Sequence, residues 1–239
     1  MMNKINMYST SRSGHNFIKD NLLSWNNNLD IKDIENPKTY SIWLFFLKNL
    51  DVNLICMRDY LNTVASLCML RISFIDNSIL SWIFLAEKIF PIDNKLKIEF
   101  APKKYVIFFE EFRNSKSYRK KVCKVFEGSY NENKLNELPV GGMPSSFDAY
   151  EWLSKKSFDG KILSTKEVQA KQKEFFKNFT GQAQKMKVHD RWQQIQEKPE
   201  DKEFYIAKLK EFPEAIKLYI DNYLPNKEQL EFLKKYEII

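Results

Sequence analysis

The sequence predicts an α/β domain in which helices flank a mostly parallel central sheet. Residues 5–25 pass from a short strand-like run through a tight polar loop into a helical pattern. Leu54 to Met57 form a continuous apolar run, as expected of a strand that is buried on both faces of a parallel sheet, and a helical pattern follows it. Residues 104–109 form a further apolar run of strand length. Strands that alternate with helices are typical of parallel sheets.

The first helix is predicted from its apolar spacing. Ile18, Leu22 and Trp25 recur at i, i+4 and i+7, which places them on one helix face. The strand before it is Ile5 to Met7, and only a short polar loop separates the two elements.

That loop has the composition of a phosphate-binding loop. Ser13 and Gly14 are small enough for the backbone to approach an anion, and Arg12 adds a positive charge. The first turn of a helix presents unpaired N–H groups and the positive end of the helix dipole. The loop differs from that of nucleoside triphosphatases, G-x-x-x-x-G-K-[ST], because Ser9 stands at the first Gly and His15 at the Lys.

The next two segments carry weaker signals. Residues 26–37 are polar and are interpreted as a loop that ends at Pro37. Residues 38–46 are apolar and fit either a strand or a strand that runs into a short helix, which periodicity does not decide.

A second anion-binding pattern follows the strand at residues 54–57. Arg58 stands at the carboxyl end of this strand, where open α/β sheets bind ligands. Asp59 is suited to cap the next helix, whose apolar stripe contains Leu61, Val64 and Cys68. Ser66 lies on a different face of that helix. An Arg fork and a Ser hydroxyl are a suitable pair for one phosphate group.

The remaining elements are mainly structural. A helix is predicted over residues 78–86, with Trp82 in its packed face, and a basic surface helix over 115–126. Residues 128–180 are mixed in character and are expected to form an acceptor-side cap or loop within a single domain of residues 1–239. Two final helices are predicted over residues 202–211 and 213–223.

Composition narrows the class of protein. A content of 44% hydrophobic residues in 239 residues suffices for one well-formed core. The three cysteines are widely spaced and are expected to be buried, reduced side chains, and two histidines make a histidine-based metal site unexpected. No apolar run approaches the ~20 residues of a membrane span, so we expect a cytoplasmic protein with no membrane partner.

The motifs, in their order, resemble those of the sulfotransferases that use 3′-phosphoadenylyl sulfate (PAPS). The first loop is similar to the 5′-phosphosulfate loop of that family, [KR]-S-G-x-x-[WF]. Arg58, with Ser66 eight residues later, matches the family's 3′-phosphate pair. Lys38-Thr39 matches the first two residues of the family's K-T-H, and Tyr40 replaces its His. The strand ending in Phe109-Glu110 resembles the family's Y-E-D-L, with Phe109 in place of the Tyr.

A late segment, residues 181–194, resembles the family's last motif, in which a basic loop closes over the 3′-phosphate and leads into a Trp. Lys185 and Lys187 are its candidate cations, and Arg191-Trp192 matches the R-W form. Asp190 replaces the Gly that the family usually has.

The resemblance implies a P-loop-like fold, PAPS as co-substrate, 3′,5′-bisphosphoadenosine (PAP) as product, a hydroxyl-bearing acceptor and no requirement for a metal. It implies catalytic roles for Arg12, His15 and Lys38. The residues that it implies for nucleotide binding are Arg12, Ser13, Gly14, His15, Asn16, Phe17, Arg58, Ser66, Lys185, Lys187, Arg191 and Trp192.

Several questions stay open at the level of sequence. The general base is Tyr40, His15 or an acidic residue of the 128–180 segment. Two other classes of protein are alternatives, a nucleotide or small-molecule kinase and a basic nucleic-acid-binding protein, the latter because of the net charge of +7. Nucleic acid is not the expected partner, because the basic residues are spread along the chain.

Overall fold

The computed structural model describes residues 3–10, 14–35, 52–70, 74–89, 97–133, 135, 191–223 and 225–239. The chain divides into two compact units, Met1–Asp59 with Leu80–Leu135 and Tyr60–Ile79 with Asn136–Ile239. The expectation of a single domain stays a prediction. The apolar segment at residues 38–46, and the part of the predicted cap from residue 136 onward, lie outside the described residues.

The first unit is built on a five-stranded sheet with the order β2-β1-β3-β5-β4. Strand β1 pairs in parallel with β2 and β3, and β3 pairs in parallel with β5, whereas β4 pairs with β5 in the antiparallel sense. The predicted α/β class with a mostly parallel sheet is therefore confirmed. The strands are β1 (Asn3–Ser9), β2 (Leu29–Glu35), β3 (Val52–Met57), β4 (Glu99–Ala101) and β5 (Lys104–Phe108).

The helices agree with most of the predicted segments. Ser115 caps the basic helix by accepting a hydrogen bond from the Tyr118 N–H at 3.1 Å. In chain order the helices are α1 (His15–Trp25), α2 (Tyr60–Leu70), α3 (Ile75–Ile89), α4 (Phe109–Asn114), α5 (Lys116–Val125), α6 (Arg191–Gln194), α7 (Pro199–Glu211), α8 (Pro213–Leu218) and α9 (Lys227–Lys235). A turn of π-helix, Tyr219–Tyr223, continues α8.

The interpretation of residues 26–37 as a loop is wrong, because β2 occupies most of that stretch. Leu29 and Ile31 are buried and alternate with the exposed Asp30 and Lys32. This period of two is that of a strand with one face on the core. Since β2 lies at the edge of the sheet, its outer face tolerates the charged residues that made the segment resemble a loop.

The hydrophobic core of the first unit joins α1 to the sheet and to α4. The ring of Phe17 makes edge-to-face contacts with Phe109 and Phe112, each with centroids 6.1 Å apart. Trp25, at the end of α1, packs on Phe112 and donates its indole N–H to the carbonyl of Asn131 at 2.7 Å. These contacts hold the start of α1 near the carboxyl ends of the strands.

The second unit is helical in its described part and packs around α2, which is buried from Tyr60 to Met69. The Tyr205 hydroxyl of α7 donates to the Leu61 carbonyl at 3.2 Å. The ring of Phe232 on α9 packs on Trp192 and Tyr205. No helix in the described ranges is both long and apolar enough to cross a membrane.

Candidate functional site

The order of the strands creates a switch point in the first unit. The chain moves from β1 to β2 on one side and returns to β3 on the other side of β1. Crossover connections that leave neighbouring strands in opposite directions open a crevice at their carboxyl ends, where α/β proteins bind ligands. Strand β1 ends at Ser9, and β3 ends at Met57, directly before Arg58. Two of the predicted motifs therefore begin at this edge.

Gly14 is the last residue of the first loop and the N-cap of α1. Its φ of +79° lies in the left-handed region, and its carbonyl accepts the first hydrogen bond of the helix, from the Ile18 N–H at 3.2 Å. A Cβ atom at this position would overlap the ring of Phe109. Both the backbone conformation and the contact with Phe109 thus require glycine.

The side chains that follow Gly14 differ in exposure. His15 is buried, Asn16 is half-buried, and Phe17 is part of the aromatic core. The guanidinium of Arg113 lies 5.2 Å from the centre of the Phe17 ring. Phe17 therefore holds α1 in place, and its predicted contact with a nucleotide stays a prediction. The other predicted residues of this part of the chain, Arg12, Ser13, Lys38 and Tyr40, lie outside the described residues.

Arg58 is held at the same edge, and only 7% of the residue is exposed. Its carbonyl accepts a hydrogen bond from the Trp82 indole N–H at 2.9 Å. Its guanidinium lies 5.4 Å from the centre of the Phe109 ring. Phe109 thus contacts both Gly14 and Arg58, and the structure brings together the two motifs that the sequence places 44 residues apart.

Glu110 is a member of this cluster that the sequence prediction missed. Its two carboxylate oxygens accept hydrogen bonds from the Asp59 N–H, each at 3.2 Å. Oε1 also lies 3.7 Å from Nε of Arg58 in an ion pair. The sequence did hold a signal for it: Glu110 directly follows the apolar run of residues 104–109, and a residue in that position lies at the carboxyl ends of the strands of a parallel sheet.

The surroundings of Glu110 change its acidity. Although 27% of the side chain is exposed, the pKa of Glu110 is raised to about 7, and the largest cause is the removal of the carboxylate from water. The negative charge of Asp59 also raises this pKa, while the positive charge of Arg58 and hydrogen bonds from the backbone lower it. The carboxyl group therefore changes its charge near neutral pH.

The second unit contains the other predicted residues that the structure describes. Ser66 on α2 is almost fully buried, as are Arg191 and Trp192 on α6. The backbone N–H of Trp192 donates to Oδ1 of Asn62, on α2, at 3.4 Å. The last motif is thereby attached to the helix that carries Ser66. Lys185 and Lys187 lie outside the described residues.

The side chains of α6 serve the helical core as well. The Trp192 ring lies 5.3 Å from that of Phe232, and Nη1 of Arg191 donates to Oε1 of Gln194 at 2.8 Å. A buried guanidinium is also a suitable partner for an anion. Their predicted roles in nucleotide binding stay predictions.

The cysteines and acidic residues give no indication of a metal site within the described ranges. Within the part of the chain that the structure describes, no three or more His, Cys, Asp or Glu residues are grouped so that they could hold a metal ion. Cys56, Cys68 and Cys123 are buried free thiols, as predicted. Burial raises the pKa of the Cys56 thiol well above its ordinary value, and nearby Asp33 raises it further.

Comparisons with models of protein families, with curated proteins and with solved structures find no match for this chain. The assignment of function therefore depends on the motifs of the sequence and on the geometry of the sheet edge.

Proposed function

We propose that the chain is a sulfotransferase that moves the sulfuryl group of PAPS to an acceptor hydroxyl on a small molecule or carbohydrate. The observation that supports this most is the contact of Phe109 with both Gly14 and Arg58 at the carboxyl edge of the parallel sheet. A helix N-terminus and an arginine at one switch point suit a ligand with two separate phosphate groups. The order of the motifs in the sequence selects PAPS among such ligands.

In this proposal, the start of α1 binds the 5′-phosphosulfate. Backbone N–H groups at Ser13 to Asn16 contact its oxygens, and Arg12 offsets the charge of the leaving phosphate. Arg58 pairs with the 3′-phosphate, with Ser66 and the Lys185/Lys187 loop as further contacts that the sequence motifs suggest. The buried position of Arg58 favours a strong charge-assisted pair.

The reaction is an in-line displacement. The acceptor oxygen forms a bond to sulfur as the bond between sulfur and the phosphate oxygen breaks, and the electron pair of that bond leaves with PAP. A base on the protein takes the acceptor proton. Little covalent chemistry is required of the protein, so charge stabilisation supplies most of the rate, as in phosphoryl transfer.

A series of thermal unfolding measurements tests the proposal against the two other classes of protein. PAP without added metal should raise the unfolding temperature, because a ligand that binds only the folded state stabilises it. ATP with magnesium and a single-stranded DNA oligonucleotide should have little effect. A shift seen only with ATP and magnesium would favour a kinase, and a shift seen only with DNA would favour a nucleic-acid-binding protein.

A further inference from the structure

Glu110 and Arg58 form a contact that the proposed nucleotide binding does not use. Nε of Arg58 lies 3.7 Å from Oε1 of Glu110, and the carboxylate is anchored at the same time by the N–H of Asp59. The arginine is fixed on two further sides, by Phe109 under its guanidinium and by Trp82 at its carbonyl. The carboxylate therefore lies where it orients the side chain that an anion would bind.

We propose that the carboxylate of Glu110 pairs with the guanidinium of Arg58 before an anion binds, and that it takes up a proton from solvent when a phosphate group replaces it. The identity of the phosphate ligand rests on the proposed function, whereas the contact between Glu110 and Arg58 does not.

The charges around Glu110 determine whether the binding of a phosphate raises or lowers the pKa of its carboxyl group. Asp59, two residues after β3, disfavours the charged form of the carboxyl group, and the positive charge of Arg58 favours it. A phosphate on Arg58 would offset that positive charge and bring a second negative charge close to Glu110. Both effects raise the pKa of a carboxyl group, which starts here at about 7. Binding should therefore be accompanied by proton uptake, and it should weaken as the pH rises above 7.

Calorimetric titration with PAP tests the coupling. For the wild-type protein, the affinity should fall roughly two- to tenfold between about pH 7 and 8.5, a range in which the ligand's own phosphates change little. Glu110→Gln should remove this pH dependence and keep the higher affinity. The neighbouring Glu111→Gln is the matched control and should follow the wild-type profile. A Glu110→Gln protein with the wild-type pH profile would overturn the proposal.

A second measurement needs no ligand. The Nε–H resonance of Arg58, assigned by its loss in Arg58→Lys, should move with pH around neutrality in the wild-type protein and in Glu111→Gln. In Glu110→Gln it should stay fixed over the same range. If PAP binds at no pH, the proposed sulfotransferase function fails and this titration alone decides the role of Glu110. A chemical shift of this Nε–H that does not change with pH in the wild-type protein would overturn the proposed pairing of Glu110 with Arg58.

Discussion

At Gly14 two physical requirements fall on one residue. The backbone is left-handed, with φ of +79°, and the space that a side chain would need is filled by Phe109. Residues other than glycine adopt this backbone region at a cost of about 1–3 kcal/mol. Gly14, which the sequence indicated as a ligand contact, is thus also required for the packing of the fold.

Gly14→Ala should lower the free energy of unfolding by at least about 2 kcal/mol, since it adds backbone strain to an overlap with the ring. Chemical denaturation measures the change. Adding Phe109→Leu should relieve the overlap while the strain remains, so the double variant should lose less than the sum of the two single losses. A Gly14→Ala protein as stable as the wild type would contradict the backbone geometry described here.

Glu110 makes a prediction about stability and pH. Its pKa rises from an ordinary value of 4.5 to about 7 in the folded protein, so the folded state binds more protons in that range. Stability should therefore be lost as the pH rises from about 4.5 through 7, and it should level off above that. Glu110→Gln mimics the protonated form. Its stability relative to the wild type should increase by on the order of 1–3 kcal/mol between about pH 5 and 8.

Unfolding in denaturant at several pH values measures this difference, and Glu111→Gln serves as the control. A constant difference between Glu110→Gln and the wild type across the range would show that the carboxyl group titrates normally.

Arg58 was predictable from the sequence because it directly follows an apolar strand. The acidity of Glu110 was not, since it arises from burial and from the approach of Asp59 across the sheet edge.

At the scale of elements, β2 shows where polarity gave the wrong answer. Its charged residues made the segment resemble a loop, although at its start they alternate with buried apolar residues, as in a strand with one face on the core. Strand β3 was predicted correctly, because its continuous apolar run reflects burial from Asn53 to Met57. The start of α1 was predicted only approximately, because the helix begins at His15, before the first apolar residue of its stripe.

Helix α3 supports the residue that follows β3 through a hydrogen bond from the Trp82 indole N–H to the Arg58 carbonyl. Trp82→Phe should cost about 1 kcal/mol of stability and should also weaken PAP binding, because the bond holds the residue that is proposed to contact the ligand. Trp25→Phe is the matched control. It removes an indole hydrogen bond to the Asn131 carbonyl in the same unit, with a similar loss of stability expected.

Unfolding measurements and PAP titrations on both tryptophan variants separate the two effects. Only Trp82→Phe should change the affinity for PAP. Equal losses of affinity in the two variants would mean that Arg58 needs no support from α3.

At the scale of the whole molecule, the class of fold was predicted from the sequence more successfully than the division of the chain into compact units. Parallel strands and the placement of two motifs at one sheet edge follow from local patterns and from the rule for switch points. The division of the chain after residues 59, 79 and 135 could not be predicted, because it depends on which helices pack together. The net charge of +7 agrees with an acidic ligand and does not select one.

The proposed binding of the 3′-phosphate of PAPS by Arg58 is tested most directly by a comparison of two nucleotides. The affinities of PAP and of adenosine 5′-phosphosulfate, which lacks the 3′-phosphate, are determined for the wild type and for Arg58→Ala. Lys121→Ala, which removes one exposed positive charge from α5, controls for net charge.

Hydrogen bonds to charged groups contribute roughly 1.5–3 kcal/mol, so Arg58→Ala should weaken PAP binding by about tenfold or more. The affinity for adenosine 5′-phosphosulfate should stay nearly unchanged, and Lys121→Ala should have little effect on either nucleotide. Equal losses for both nucleotides in Arg58→Ala, or no loss for PAP, would contradict the assignment of Arg58 to the 3′-phosphate.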